Sequence, residues 1–182
     1  TARGINELAY NWKFGHAPLT PERGDTFGFK PFGRGATATI TNKSTSAAAY
    51  NNDTVVIIDA VGNSITYKYT NSGGGTATGE LNGDGSVSIN VSSMGSSIAA
   101  AATQLRAAIN SANGHGSSGL GTITASVPEG FSISTSAAST LTQNIAGKSG
   151  HTTITSSDTG RTEITKQFAG GILNMQSKNA TW

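Results

Sequence analysis

The chain has no cysteine among its 182 residues, which removes disulfide staples, thiolate metal sites and a cysteine nucleophile at once. Charge is scarce as well: 12 basic and 10 acidic residues leave a net charge of +2 at pH 7. So few charges argue against a charged disordered tail and against a partner held by electrostatics alone. No run comes near 18 consecutive apolar residues, so neither a membrane-spanning helix nor a membrane partner is expected. The amino terminus shows no basic stretch followed by an apolar run and is not read as a secretory signal. Prolines number four, and three of them, Pro18, Pro21 and Pro31, fall within the first 35 residues.

Small polar residues fill the chain instead. Glycine, threonine, serine and asparagine occupy 85 positions, a composition suited to a β-rich domain with many tight turns. The length fits one domain with something added.

The twelve aromatic residues are unevenly spread, six of them within residues 1–35. These are Tyr10, Trp12, Phe14, Phe27, Phe29 and Phe32. Prolines every few residues forbid a long helix or a central strand there, so residues 1–35 read as an extended arm with a short edge strand at Phe27 and Phe29. Six large aromatics would not stay in water when docking each one gains about 1.5–3 kcal/mol. The arm is therefore expected to lie against a surface, its own domain's or another's. Residues 36–52 are small and nearly uncharged and read as a linker with one short strand at its start, so arm and linker together span residues 1–52.

Residues 53–171 carry the regular pattern. Thr54–Asp59 is a β-branched run, Gly62 and Asn63 supply a turn, and Ile65, Tyr67 and Tyr69 alternate with Thr66, Lys68 and Thr70, which together predict a hairpin. After a glycine-rich loop over 71–85, Val87, Ile89 and Val91 place a strand over Ser86–Val91. Ile98, Ala102, Leu105, Ile109 and Ala112 recur at helical spacing, with Gln104, Arg106 and Asn110 falling away from that face. Ser96 or Ser97 can cap this helix, Asn113 and Gly114 can stop it, and its alanines let it lie close across a sheet. Further short strands are expected over Thr122–Val127, over Phe131–Ser136 with Phe131 and Ile133 inward, around Leu141 and Ile145, over Thr152–Ser156 and over Ile164–Phe168. The fold class is thus α+β: a mostly antiparallel sheet of about seven short strands with one helix packed on it, flanked by extended arms. Residues 172–182, with Ile172, Leu173, Met175 and Trp182, read as a second arm.

Catalytic and metal-binding patterns are thin. His16, His115 and His151 stand far apart in turn-like sequence and read as scattered surface histidines. Gly147-Lys148-Ser149 ends like a phosphate-binding loop, but position 142 is threonine where that motif needs glycine. Asn82-Gly83-Asp84-Gly85 has the small oxygen-bearing residues of a calcium loop without the closing carboxylate of an EF-hand. No GxSxG occurs and the acidic residues are mostly single. No enzymatic activity, cofactor or metal is expected. Nucleic acid is not the expected partner either, because Glu7, Glu22 and Asp25 accompany the basic residues of the arm.

The segments TVVIIDAVGNSITYKY, SSIAAAATQLRAAINSA, TASVPEGFSISTS, TLTQNIAGKSGHTTITSS and ITKQFAGG follow one another in this order. Over about residues 54–171 this series resembles a module of structural proteins of tailed bacteriophages, especially marine and cyanobacterial ones. Leu141-Thr142-Gln143, Ala146-Gly147, His151-Thr152-Thr153-Ile154 and Phe168-Ala169-Gly170-Gly171 carry the likeness. The resemblance implies a non-enzymatic virion component and transfers no catalytic residue. A small domain with apolar arms suits a capsid decoration or cement protein that clamps neighbouring capsid subunits, with the major capsid protein as partner and a homo-oligomer, a trimer, as its own assembly. The contact residues expected are the aromatics of the arms: Tyr10, Trp12, Phe14, Phe27, Phe29, Phe32 and Trp182. Two alternatives remain beside it. One is a tail, neck, fibre or other filament subunit whose arms add strands to a neighbour's sheet. The other is a carbohydrate-binding adhesive module with Tyr67, Tyr69 and Phe131 as its stacking platform, against the preferred reading that these three alternate inward into the core.

Overall fold

The computed structural model describes residues 33–173. The short edge strand expected at Phe27 and Phe29 lies outside them, as does most of the second arm. The described part is α+β. Its strands are β1 (Gly35–Asn42), β2 (Thr54–Ile58), β3 (Ser64–Thr70), β4 (Val87–Asn90), β5 (Ile123–Ser126), β6 (Ala138–Ala146), β7 (Ile154–Ser156) and β8 (Thr162–Ala169). Two helices interrupt them, the single turn α1 (Ala47–Tyr50) and the main helix α2 (Ile98–Ile109).

The strands form two four-stranded sheets, ordered β5-β6-β1-β8 and β4-β3-β2-β7. All pairings are antiparallel except that of β3 with β4, which is parallel. Period-2 alternation sorts their side chains as the sequence suggests. Ala36, Ala38 and Ile40 of β1, Val55 and Ile57 of β2, and Tyr67 and Tyr69 of β3 all point into one buried cluster. Helix α2 joins that cluster through Ala101, Leu105, Ala108 and Ile109. Ser97 caps it, its hydroxyl accepting from the Ala100 N–H.

Several local expectations change. Among the described residues eight strands form two sheets, where one sheet of about seven short strands was expected. Residues 36–52 are not a linker: β1 lies between β6 and β8, and Tyr50, at the end of α1, is fully buried. Their weak hydrophobicity misled because the residues that fill this part of the core are small: Ala36 and Ala38 are fully buried. Residues 131–136 form turns instead of a strand, and Phe131 and Ile133 are 64% and 59% exposed. On α2, Arg106 is buried, whereas Ala112 lies beyond the helix end and is exposed.

The sheet edges are closed by specific means. The chain between β3 and β4 returns alongside β4, with the Gly79 N–H on Ser88 O, the Ser88 N–H on Glu80 O and the Asn82 N–H on Ser86 O, each at 2.8 Å. Side-chain amides cover two more edges. Asn110 donates to Ala125 O at 2.8 Å and accepts the Ala125 N–H at 3.2 Å, standing in for a strand beside β5. Gln167 does the same for β7, donating to Ile154 O at 2.7 Å and accepting the Ile154 N–H at 2.8 Å. The edge of β8 has no such cover among the described residues. Instead, its pairing with β1 shifts register between Thr37 and Thr39 and between Thr39 and Ile40, an irregularity of the kind that discourages strand addition.

Candidate functional site

The aromatics expected to bind partners, Tyr10, Trp12, Phe14, Phe27, Phe29, Phe32 and Trp182, lie outside the described residues. The structure does show where the sequences that hold them join the domain. Arg34 and Ile172 exchange two backbone hydrogen bonds of 2.8 and 2.9 Å and continue the β1–β8 ladder past the turn at Gly170 and Gly171. The Arg34 guanidinium adds a bond to Gly170 O at 3.1 Å, and His151 accepts the Gly171 N–H at 3.0 Å. Gly170 has φ of +77°, a conformation glycine adopts without cost. Both flanking sequences therefore enter the domain at one place. Ile172 and Leu173 are exposed there.

His16 lies outside the described residues, and His115, read as a surface histidine, is not on the surface. It is fully buried, with its Nδ1 2.9 Å from the Tyr67 hydroxyl and its Nε2 3.3 Å from Asn63 O. The His115 backbone N–H also donates to the Tyr67 hydroxyl, at 3.0 Å. A carbonyl beside Nε2 calls for a proton on that nitrogen, which leaves Nδ1 to accept from Tyr67. Asp59 holds the neighbouring turn, accepting the Val61 and Asn63 N–H groups and the Asn63 amide. Burial alone would raise the Asp59 carboxyl, but hydrogen bonds from Asn63, Thr122 and Val61 together outweigh it and hold the group below its ordinary value. This cluster ties the β2–β3 turn to the segment after α2.

Burial lowers the His115 pKa below its ordinary 6.5, so the folded protein binds that proton less readily than the unfolded chain. The stabilisation is fully present above the unfolded value and is lost as pH falls through 6.5 toward the lower folded one. Urea unfolding at about pH 7.5 and about pH 5.5 should show wild type losing more stability than His115→Gln, which does not titrate. Equal losses in the two proteins would exclude His115 as the source.

Arg106, expected to fall away from the helix's apolar face, is 5% exposed. Its guanidinium donates to Ala138 O at 3.0 Å, the Ser139 hydroxyl at 3.1 Å, the Thr103 hydroxyl at 2.9 Å and Ile133 O at 3.5 Å. Burial lowers its pKa. The cation serves as a strut from α2 to β6 and to the turn at Ile133. The sequence held no signal for this, because three of the four acceptors, on Ile133, Ala138 and Ser139, are brought close only by folding.

Tyr67 and Tyr69 are fully buried, as their alternation suggests, whereas Phe131, also read as inward, is exposed, so the stacking platform considered as an alternative does not form. Period 2 places both tyrosines on the core face of β3. Tyr69 stacks on Tyr50 with ring centroids 4.8 Å apart and accepts from the Asn42 amide at 2.8 Å. Burial pushes both phenols up.

The outward face of the same hairpin forms a groove of about 630 Å³. Thr54, Thr66 and Lys68 line its floor, and Leu81, Asp84 and Gly85 belong to its wall. The Lys68 ammonium meets Asp84 at 2.9 Å. The Ser86 hydroxyl, with Lys68 and the Ser86 N–H, holds the Asp84 carboxyl well below the usual carboxylate range. The Asn82-Gly83-Asp84-Gly85 turn thus directs its carboxylate to Ser86 and Lys68. The alternation of Thr66 and Lys68 was legible in the sequence; the wall was not, because nothing local says that 79–88 folds back beside β4.

Among the described residues no three His, Asp or Glu side chains cluster in a way that could hold a metal ion. No helix there is long and apolar enough to cross a membrane. Comparison of the chain with protein-family profiles, curated proteins and solved structures finds no match.

Proposed function

We propose that the protein is a non-enzymatic structural component of a virion, a capsid decoration protein that clamps neighbouring capsid subunits through the sequences flanking its domain. The observation that carries this reading is the Arg34–Ile172 pairing, which gathers both flanking sequences at one end of the β1–β8 ladder. Seven large aromatics lie in those sequences, while the described domain closes its own core with Tyr50, Tyr67, Tyr69 and Phe168. In this reading those aromatics serve a partner, and several contacts from one chain raise the effective concentration of each. The resemblance of the chain's segment order to structural modules of tailed phages is what suggests the virion setting. The irregular pairing of β8 and the covered edges of β4, β5 and β7 favour this reading over a filament built by strand addition to these sheets.

The test is cosedimentation with particles of the encoding phage from which this protein has been deleted. Full-length protein should bind and protect such particles. A Trp12→Ala/Phe29→Ala variant should bind at least tenfold more weakly, a loss of about 1.4 kcal/mol, with an unchanged melting transition. Full binding and protection by the variant would remove the arms from the contact, and no binding by wild type would defeat the decoration role. Light scattering that shows the pure protein polymerising would favour the filament reading.

A further inference from the structure

We infer that the groove on the outer face of β2 and β3 is a binding site for a neutral polyhydroxylated ligand, of which the sugar units of a glycan are the class its chemistry fits. Its volume lies within the range of small-molecule sites, on the order of 300–1,000 Å³. The floor is rigid, because Thr54 and Thr66 stand on adjacent antiparallel strands whose opposite faces are anchored by Val55, Ile57, Tyr67 and Tyr69 in the core. The wall is fixed by the backbone bonds of the 79–88 hairpin and by Asn113, whose amide donates to Gly79 O at 2.8 Å.

The side chains that line the groove select the ligand. Asn52, Thr54, Ser64 and Thr66 present hydroxyl and amide groups that donate and accept alike, and among the described residues these groups make no other hydrogen bond. A ligand rich in hydroxyls satisfies such groups in either sense. The two charges of the groove, Lys68 and Asp84, neutralise one another at 2.9 Å, so a charged ligand gains little from entering. Leu81, 54% exposed, offers an apolar patch for the C–H face of a sugar ring. An extended peptide fits less well. The floor is a sheet face with no open edge to pair with, and the edge of β4 is already taken by residues 79–82.

The site is separate from the alternative platform of Tyr67, Tyr69 and Phe131, lying on the opposite face of β3 from the two tyrosines. It is also independent of the virion reading.

The experiment is a titration of the full-length ¹⁵N-labelled protein with maltohexaose, cellohexaose, mannohexaose and N-acetylchitohexaose, with dextran sulfate as the anionic comparator. At least one neutral oligosaccharide should give saturable shifts confined to the amides of 64–68 and 81–87, with a dissociation constant on the order of 1 mM. Thr66→Val keeps the shape and strand preference of the side chain and removes its hydroxyl. It should weaken that binding about threefold to tenfold without moving the melting temperature. The proposal is overturned if none of the four gives saturable shifts, if the shifts lie elsewhere, or if Thr66→Val binds as wild type does. Tighter, salt-sensitive binding of dextran sulfate would also overturn it, by showing an anion site.

Discussion

Replacing Tyr69 by alanine is expected to destabilise the domain by about 3–5 kcal/mol, the range for removing a fully buried aromatic from a packed core. The ring stacks on Tyr50, and its hydroxyl accepts from the buried Asn42 amide. Alanine would open a cavity between the two sheets and leave that amide unpaired. Tyr69→Phe separates the two effects, since it keeps the ring and removes only the hydroxyl. Its expected cost is about 1–3 kcal/mol, that of one buried donor without a partner. Urea unfolding followed by near-ultraviolet circular dichroism measures both. If Tyr69→Ala cost no more than Tyr69→Phe, the ring would not be a keystone of the core.

Arg106 gives the second large effect. Arg106→Ala would strip the Ala138 and Ile133 carbonyls and the Thr103 and Ser139 hydroxyls of a donor, and remove the stem that packs between α2 and β6. The expected loss is about 3 kcal/mol, or a fall of roughly 6–12 °C in melting temperature for a chain of this size. Arg106→Met restores the stem without the donors and should recover about half of it. A methionine variant at least as stable as wild type would mean instead that burying the charge costs more than its hydrogen bonds return.

The position of Arg106 also shows where reading the sequence stops. Helical spacing places Leu105 and Ile109 on the core side correctly, because a 3.6-residue period is a local property. Arg106, one position from Leu105, sits at the margin of that face. Whether it turns to solvent or reaches inward depends on carbonyls from residues 133 and 138, about thirty positions away. His115 is similar. Its glycine-rich surroundings look exposed, yet the Tyr67 hydroxyl and the turn at Asn63 enclose it. The loop at 131–136 errs the other way. Phe131 and Ile133 alternate like a strand, but no neighbouring strand pairs with them among the described residues, and the segment forms turns.

The candidate contacts divide along the same line. The aromatics of the flanking sequences are visible in composition alone. The pairing of Arg34 with Ile172, which gathers those sequences at one point, joins residues 138 positions apart and has no local signature. The groove combines both kinds of information: a floor set by period-2 alternation and a wall set by a hairpin folding back on β4.

By itself the sequence determined the α+β class, the β2–β3 hairpin, the capped helix α2, and a chemistry without thiols and with few charges. Each follows from periodicity, turn residues or composition, which act over a few positions. Only the tertiary structure decided that β1 is a central strand, that the strands divide into two sheets, and that side-chain amides and a returning hairpin close three of the edges. It likewise decided that a histidine and an arginine become internal struts. Those outcomes depend on which distant groups meet, and in a chain where nearly half the residues are small and polar, many sites offer the same local pattern and only packing distinguishes them.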